Sequence, residues 1–229
     1  MLHLNPKIER YIQSVEISHS FAKNYSHGIS RSNESWELFE PTRFVYAFFS
    51  FNMIFSIKWP ETLKINKGLK YFSRHDGEFA KSQIESLVNF IHQTDSSCFK
   101  KCLLDFKEIK HIYQECLNMP QDFNSGRKNP NTGNTIAHDF IAAAKLVTDG
   151  LNLTSKHHFN LLQMAYAVRN NLFHGEKKAL QMREEGHRRR LYHYGSIILA
   201  TNESFFTIIE NVFKYYRIES WEVNDNIYN

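Results

Sequence analysis

Apolar residues recur along much of this chain at the three- and four-residue spacing of an α-helix. The pattern is densest over 41–58, where Phe44, Phe48, Phe51 and Phe55 follow one another at 4-3-4 intervals beside Val45, Ala47 and Ile54. Pro41 suits the first turn of this helix. Pro60 stops it, because proline has no N–H to donate and its ring collides with the preceding turn. Asn52 interrupts the apolar run and is expected either to hydrogen-bond inside the core or to line a site.

Further helices are predicted on both sides. One covers 5–24, with Asn5 as its cap and Pro6 in the first helical position; Ile8, Tyr11, Ile12, Val15 and Ile17 form its loose stripe. Two more cover 78–93 (Ile84, Leu87, Val88, Ile91) and 98–118 (Leu103, Leu104, Phe106, Ile109, Ile112, Tyr113). A helix over 136–149 is closed by Gly150, and Ser155 caps the next, which carries Phe159, Leu162, Ala165, Tyr166 and Val168. The last runs over 191–216 through Tyr194, Ile197, Ile198, Phe205, Ile208, Ile209 and Phe213. Between them, 26–33 is a polar, breaker-rich loop and 61–75 a basic surface stretch. The clearest loop is 120–135, whose Arg127-Lys128 tip is read either as a contact for a polyanion or as plain disorder. The tail from Arg217 is short and polar.

Composition narrows the class. With 9 Gly and 5 Pro in 229 residues the chain favours long helices over a turn-rich β fold. Hydrophobic residues at 42% and 19 Phe exclude a disordered chain, and the length suffices for a sizeable core. A net charge of +4 permits nucleic-acid binding without arguing for it. Cys98, Cys102 and Cys116 are too few for a secreted disulfide framework and point to a reducing cytosol. Cys98 and Cys102, four apart, could share a helix face, but no ligand-spaced partners suggest zinc. The start lacks a basic-then-apolar leader, and the most apolar window, 44–57, is shorter than the roughly 20 residues that span a bilayer. A cytoplasmic protein without a membrane segment is therefore expected. No His-Glu-x-x-His helix, Gly-x-Ser-x-Gly elbow or Gly-rich phosphate loop occurs, and no metal or cofactor is expected.

One stretch carries candidate chemistry: Val168-Arg169-Asn170-Asn171-Leu172-Phe173-His174-Gly175. Arginine is always charged and forks onto phosphate, and histidine titrates near neutral pH. Together they can hold a phosphodiester and move protons around it. On a helix Asn170 and His174 share a face, while Arg169 and His174 stand about 140° apart. Gly175 fits a helix C-cap, which places His174 in the last turn. After it, 176–190 holds six basic residues, including Lys177 and Arg188 to Arg190, against Glu176, Glu184 and Glu185. Lys177 and Arg188 to Arg190 are candidate backbone contacts, although a solvated helix face is the more common explanation of such a run.

Arg169-Asn170-Asn171-Leu172-Phe173-His174, followed by Gly175-Glu176-Lys177, resembles the Arg-x4-6-His motif of HEPN domains, helical modules common in the ribonucleases of defence and toxin systems. The resemblance is densest over 159–213 and extends to the helix at 41–58. It implies an all-α, antiparallel helical bundle: an N-terminal helix and loop (1–35), a HEPN-like domain (36–218) with an inserted or divergent helical middle (61–135), and a tail (219–229). It further implies metal-independent cleavage of RNA by its own 2′-OH, with His174 transferring protons, Arg169 stabilising phosphoryl oxygens and Asn170 orienting His174 or binding phosphate. Asn171, Lys177 and Arg188 would contact the RNA. Family members commonly pair two motifs across one cleft, so a homodimer with a composite active site is expected, with an antitoxin or regulatory protein as a further partner. The alternative is a HEPN-like module that binds nucleic acid or protein without catalysis; a third reading is a helical scaffold subunit.

Overall fold

The computed structural model describes residues 6–29, 40–55, 79–117, 128–129, 132–173 and 184–213. These residues form an all-α structure, as the apolar spacing predicts. Eight α-helices follow in order: α1 Pro6–Ile29, α2 Glu40–Phe55, α3 Phe79–Thr94, α4 Cys98–Leu104, α5 Ile112–Cys116, α6 Ile136–Thr148, α7 Ser155–Phe173 and α8 Glu185–Phe213. A 3-10 helix, Lys107–His111, joins α4 to α5. A single antiparallel bridge pairs Lys128 with Thr135.

Helix α8 is the axis of the fold. Its 29 residues span about 43 Å, and α1 to α7 all pack against it or against one another around it. Every residue from His193 to Asn202 is buried, which only a helix enclosed on all sides can achieve. Its apolar residues meet Phe44, Phe48 and Phe51 of α2, Phe99 of α4, Phe140 of α6 and Leu162 and Val168 of α7 in one core. Ile12, Val15 and Ala22 of α1 join the same core, as do Ile84, Leu87 and Phe90 of α3.

Enclosure obliges the polar side chains of α8 to find partners inside the protein, because a buried unpaired donor or acceptor costs about 1–3 kcal/mol. They do so one neighbour at a time. His193 Nε2 lies 2.6 Å from Glu115 on α5. Thr201 Oγ1 lies 2.9 Å from His158 Nε2 on α7. Asn202 donates to Ser50 of α2 at 2.8 Å. Glu203 receives Lys23 of α1 at 2.7 Å and lies 2.8 Å from His19. The Ser204 carbonyl accepts from the Cys98 thiol of α4 at 3.8 Å. Arg43 of α2 is buried with Glu40 (3.2 Å) and reaches Ser196 at 3.5 Å. Burial pushes the Glu40 carboxyl up, and Arg43 offsets part of that rise. Gly195 makes room for the guanidinium: a Cβ there would sit 3.3 Å from Arg43 Nη1.

Several boundaries differ from expectation. The helix predicted over 98–118 is broken, with Phe106 extended at φ −85°, ψ 105°. On one continuous helix Leu103 and Ile112, nine residues apart, would face opposite sides. The break turns both into the core, while Leu104 stays 49% exposed. Asn52 is exposed and so lies outside the core; the buried polar residues of α2 are Glu40, Arg43 and Ser50. Helix α1 continues through 26–29, since one interior glycine costs only about 1 kcal/mol. Helix α8 begins at Glu185, six residues earlier than predicted. His187 and Leu191, one turn apart, are both buried there, and the acidic Glu185 suits the positive end of the helix. Gly150 does end α6: at φ +66° it supports the paired bonds Gly150 N–H to Val147 O and Leu151 N–H to Leu146 O. Residues 30–33, 56–75, 118–127 and the tail from Arg217 lie outside the described residues.

His158 supplies a test of this packing. Its ring stacks on Phe99 at 3.4 Å and is fully buried. Burial, aided by neighbouring His92, holds its pKa well below the usual histidine value. On acidification the unfolded chain takes up a proton that the folded chain refuses, so stability present above the ordinary histidine pKa is lost as pH falls. The melting temperature should drop between pH 7 and pH 5. His158→Gln should flatten that slope, and an unchanged slope in the variant would count against the assignment.

Candidate functional site

The motif lies on α7. Its first turn is closed by Thr154 rather than Ser155: the Thr154 N–H donates to His157 Nδ1 at 3.2 Å, while the Thr154 hydroxyl receives the His157 N–H at 3.5 Å. This is a reciprocal cap with histidine in the place glutamate usually takes. Phe159, Leu161, Leu162, Met164, Ala165 and Val168 bury the inner face and carry the helix through Arg169, Asn170 and Asn171 to Phe173.

Arg169 and Asn170 are both half-buried and are brought together. Arg169 Nη1 donates to Asn170 Oδ1 at 2.9 Å. The guanidinium lies 5.4 Å from the Phe48 ring of α2 and 6.0 Å from the Tyr166 ring. Cation–π contacts of this kind are worth about 0.5–2 kcal/mol. Adjacent helical side chains do not normally face each other, but the long arginine folds back over the helix while the rings hold it. Asn170 therefore offers its oxygen to Arg169, a contact the spacing to His174 did not suggest. The side chain of Asn171 and residues His174 and Lys177 lie outside the described residues.

Arg188 stands half-buried in the first turn of α8, amid a basic run that is heavily paired. Arg189 bridges Glu185 and, at 3.6 Å, Glu115. His187 lies 3.2 Å from Glu184, and Arg190 Nη2 lies 3.1 Å from His187 Nδ1. The His193 hydrogen bond, opposed by burial and helped by Arg189, holds the Glu115 carboxyl below its usual range. Much of the local positive charge is thus used to seat α8. Among the described residues, no cluster of three or more His, Cys, Asp or Glu could hold a metal, and no helix is long and apolar enough to cross a membrane.

At the opposite end of α7 is a feature the sequence reading missed. Asp139 of α6, 6% exposed, accepts from Thr132 (2.6 Å), Asn129 (2.8 Å) and Asn134 (3.0 Å). Burial works to raise its pKa, but these donors outweigh it and the carboxyl is lowered. Asn129 is 1% exposed and also reaches Gln163 of α7 at 3.3 Å. Gly133 turns the chain at φ +72°, a conformation that favours glycine. The described end of the loop predicted at 120–135 is therefore ordered, and a backbone bridge joins Lys128, read as part of its tip, to Thr135, with the Lys128 side chain exposed. The available signal was the Asn, Thr and Gly turn residues immediately before the Thr135 cap of α6. This ordered turn walls an open pocket of about 100 Å³ between α3 and the start of α7. Its Asn160 lies nine residues before Arg169, which is about 14 Å along α7 and on the opposite face.

Comparison with known proteins returns no matching family model, no matching curated protein and no matching solved structure.

Removing the hub of the turn should be expensive. Asp139→Ala strands the buried Asn129 and half-buried Thr132 donors and releases the exposed Asn134, and hydrogen bonds to a charged group contribute about 1.5–3 kcal/mol each, not additively. A loss of about 3 kcal/mol in urea unfolding is expected; a loss under about 1 kcal/mol would contradict the arrangement.

Proposed function

We propose that this chain is a metal-independent endoribonuclease of HEPN type. The observation that carries the reading is Arg169: a half-buried guanidinium in the last two turns of α7, fixed by two aromatic faces and an amide oxygen. A preorganised cation of this kind stabilises charge that develops on phosphoryl oxygens, at no reorganisation cost during the reaction.

In the proposed reaction the 2′-oxygen of RNA attacks the adjacent phosphorus and the bond to the 5′-oxygen breaks. The products are a 2′,3′-cyclic phosphate and a 5′-hydroxyl. His174 of one protomer takes the proton from the 2′-OH, and the protonated His174 of its partner gives one to the leaving 5′-oxygen. Two such transfers suit a homodimer in which paired motifs share one cleft. Asn170, with its oxygen held by Arg169, has its amide N–H groups available to bind phosphate. Asn171, Lys177 and Arg188 contact the RNA chain. A toxin or antiphage role in the cytoplasm, with an antitoxin or regulatory partner, follows from the same resemblance.

The test is cleavage of a mixed tRNA and mRNA pool in EDTA. Cleavage should persist on chelation. Arg169→Ala and His174→Ala should each lower it by at least about 100-fold. Full cleavage by either variant would remove the mechanism. RNA binding without cleavage by the wild type would replace the enzyme with a binding module.

A further inference from the structure

We infer that the pocket between α3 and the start of α7 binds a small zwitterion, an α-amino acid in chemical class, at a site separate from Arg169. The first observation is Asn160. It lines this pocket, is 5% exposed, and its amide has no hydrogen-bond partner among the described residues. Asn129, in the wall of the same pocket, is by contrast paired with Asp139 and Gln163. Leaving a buried amide unpaired at the wall of an opening is the arrangement expected where a ligand supplies the missing partner.

The second observation is the end of α7. Its cap takes up the His157 N–H alone, and nothing among the described residues accepts from the N–H groups of Ser155 and Lys156. These donors, the positive end of a 19-residue helix and the Lys156 ammonium favour an anionic group.

Glu85 decides what kind of anion. It stands on α3 in the wall of the same pocket, exposed, with no ion pair to Lys156 although both line the opening. A carboxylate there opposes phosphate or sulfate. It favours a ligand that brings its own cation beside its carboxylate. Asn89, one turn beyond Glu85, and Asn160, one turn beyond Lys156, offer amide donors and acceptors, and Val88 and Phe159 give an apolar floor. A pocket of about 100 Å³ restricts the ligand to a small molecule. An α-amino acid is small and carries both signs of charge.

Calorimetry on the full chain tests the proposal, with each of the twenty protein amino acids as probe and acetate, methylammonium and inorganic phosphate as controls. One amino acid or a chemically related few should bind with Kd below about 1 mM. Acetate and methylammonium should bind at least about tenfold more weakly. Glu85→Gln, on the surface, and Asn160→Leu should each weaken binding by about tenfold or more. Absence of binding by all twenty, undiminished binding in both variants, or phosphate binding as tight as the best amino acid would each overturn the inference. The outcome does not depend on whether the chain cleaves RNA.

Discussion

The structure depends on a helix that is enclosed on every side yet is not apolar on every side. Between His193 and Ser204, α8 carries polar groups that meet Glu115, Arg43, His158, Ser50, His19 and Cys98. Those six partners sit on five different helices. Apolar contacts tolerate a helix sliding by a turn, but a set of hydrogen bonds each addressed to a different neighbour does not. A shift of α8 by one residue would leave several buried groups unpaired at about 1–3 kcal/mol each. The fold is thus held in register by its polar positions and held together by its phenylalanines.

The same constraint places the motif. His158 is keyed to Thr201 of α8, and Val168, two turns and more further along α7, is fully buried. With α7 pinned at both points, Arg169 has little freedom to leave the rings of Phe48 and Tyr166. A rigid helix is where a precise catalytic group is best built. The two ends of α7 then present different surfaces: an arginine held by aromatic rings at one, and a polar pocket with an unpaired amide at the other.

Much of this was legible in the residues. The 4-3-4 phenylalanines of α2, the Gly150 stop and the extent of α7 follow from spacing and turn chemistry. What was not legible depended on distant partners. Leu103 and Ile112 read as one stripe, because periodicity cannot show that both must reach the same core. Asn52 looked like the polar residue of α2 that mattered, but Ser50 is the one facing Asn202, and only the packing of α2 on α8 reveals it. Arg43, just before the apolar window 44–57, is buried with Glu40, which no spacing along the chain signals. At the site, helical spacing set Asn170 on the face of His174 and Arg169 well around the axis. The hydrogen bond between Arg169 and Asn170 was missed because adjacent helical positions argue against it.

The central claim is that Arg169 belongs to a site that cleaves RNA through its own 2′-hydroxyl. The most direct measurement is the chemistry of the product ends, read by mass spectrometry on a short RNA cut by the purified chain. The account predicts a 2′,3′-cyclic phosphate or 3′-phosphate on one fragment and a 5′-hydroxyl on the other. It also predicts no cut where a 2′-deoxy residue precedes the scissile phosphate. A 5′-phosphate beside a free 3′-hydroxyl, or cleavage that proceeds unchanged past the 2′-deoxy residue, would contradict it.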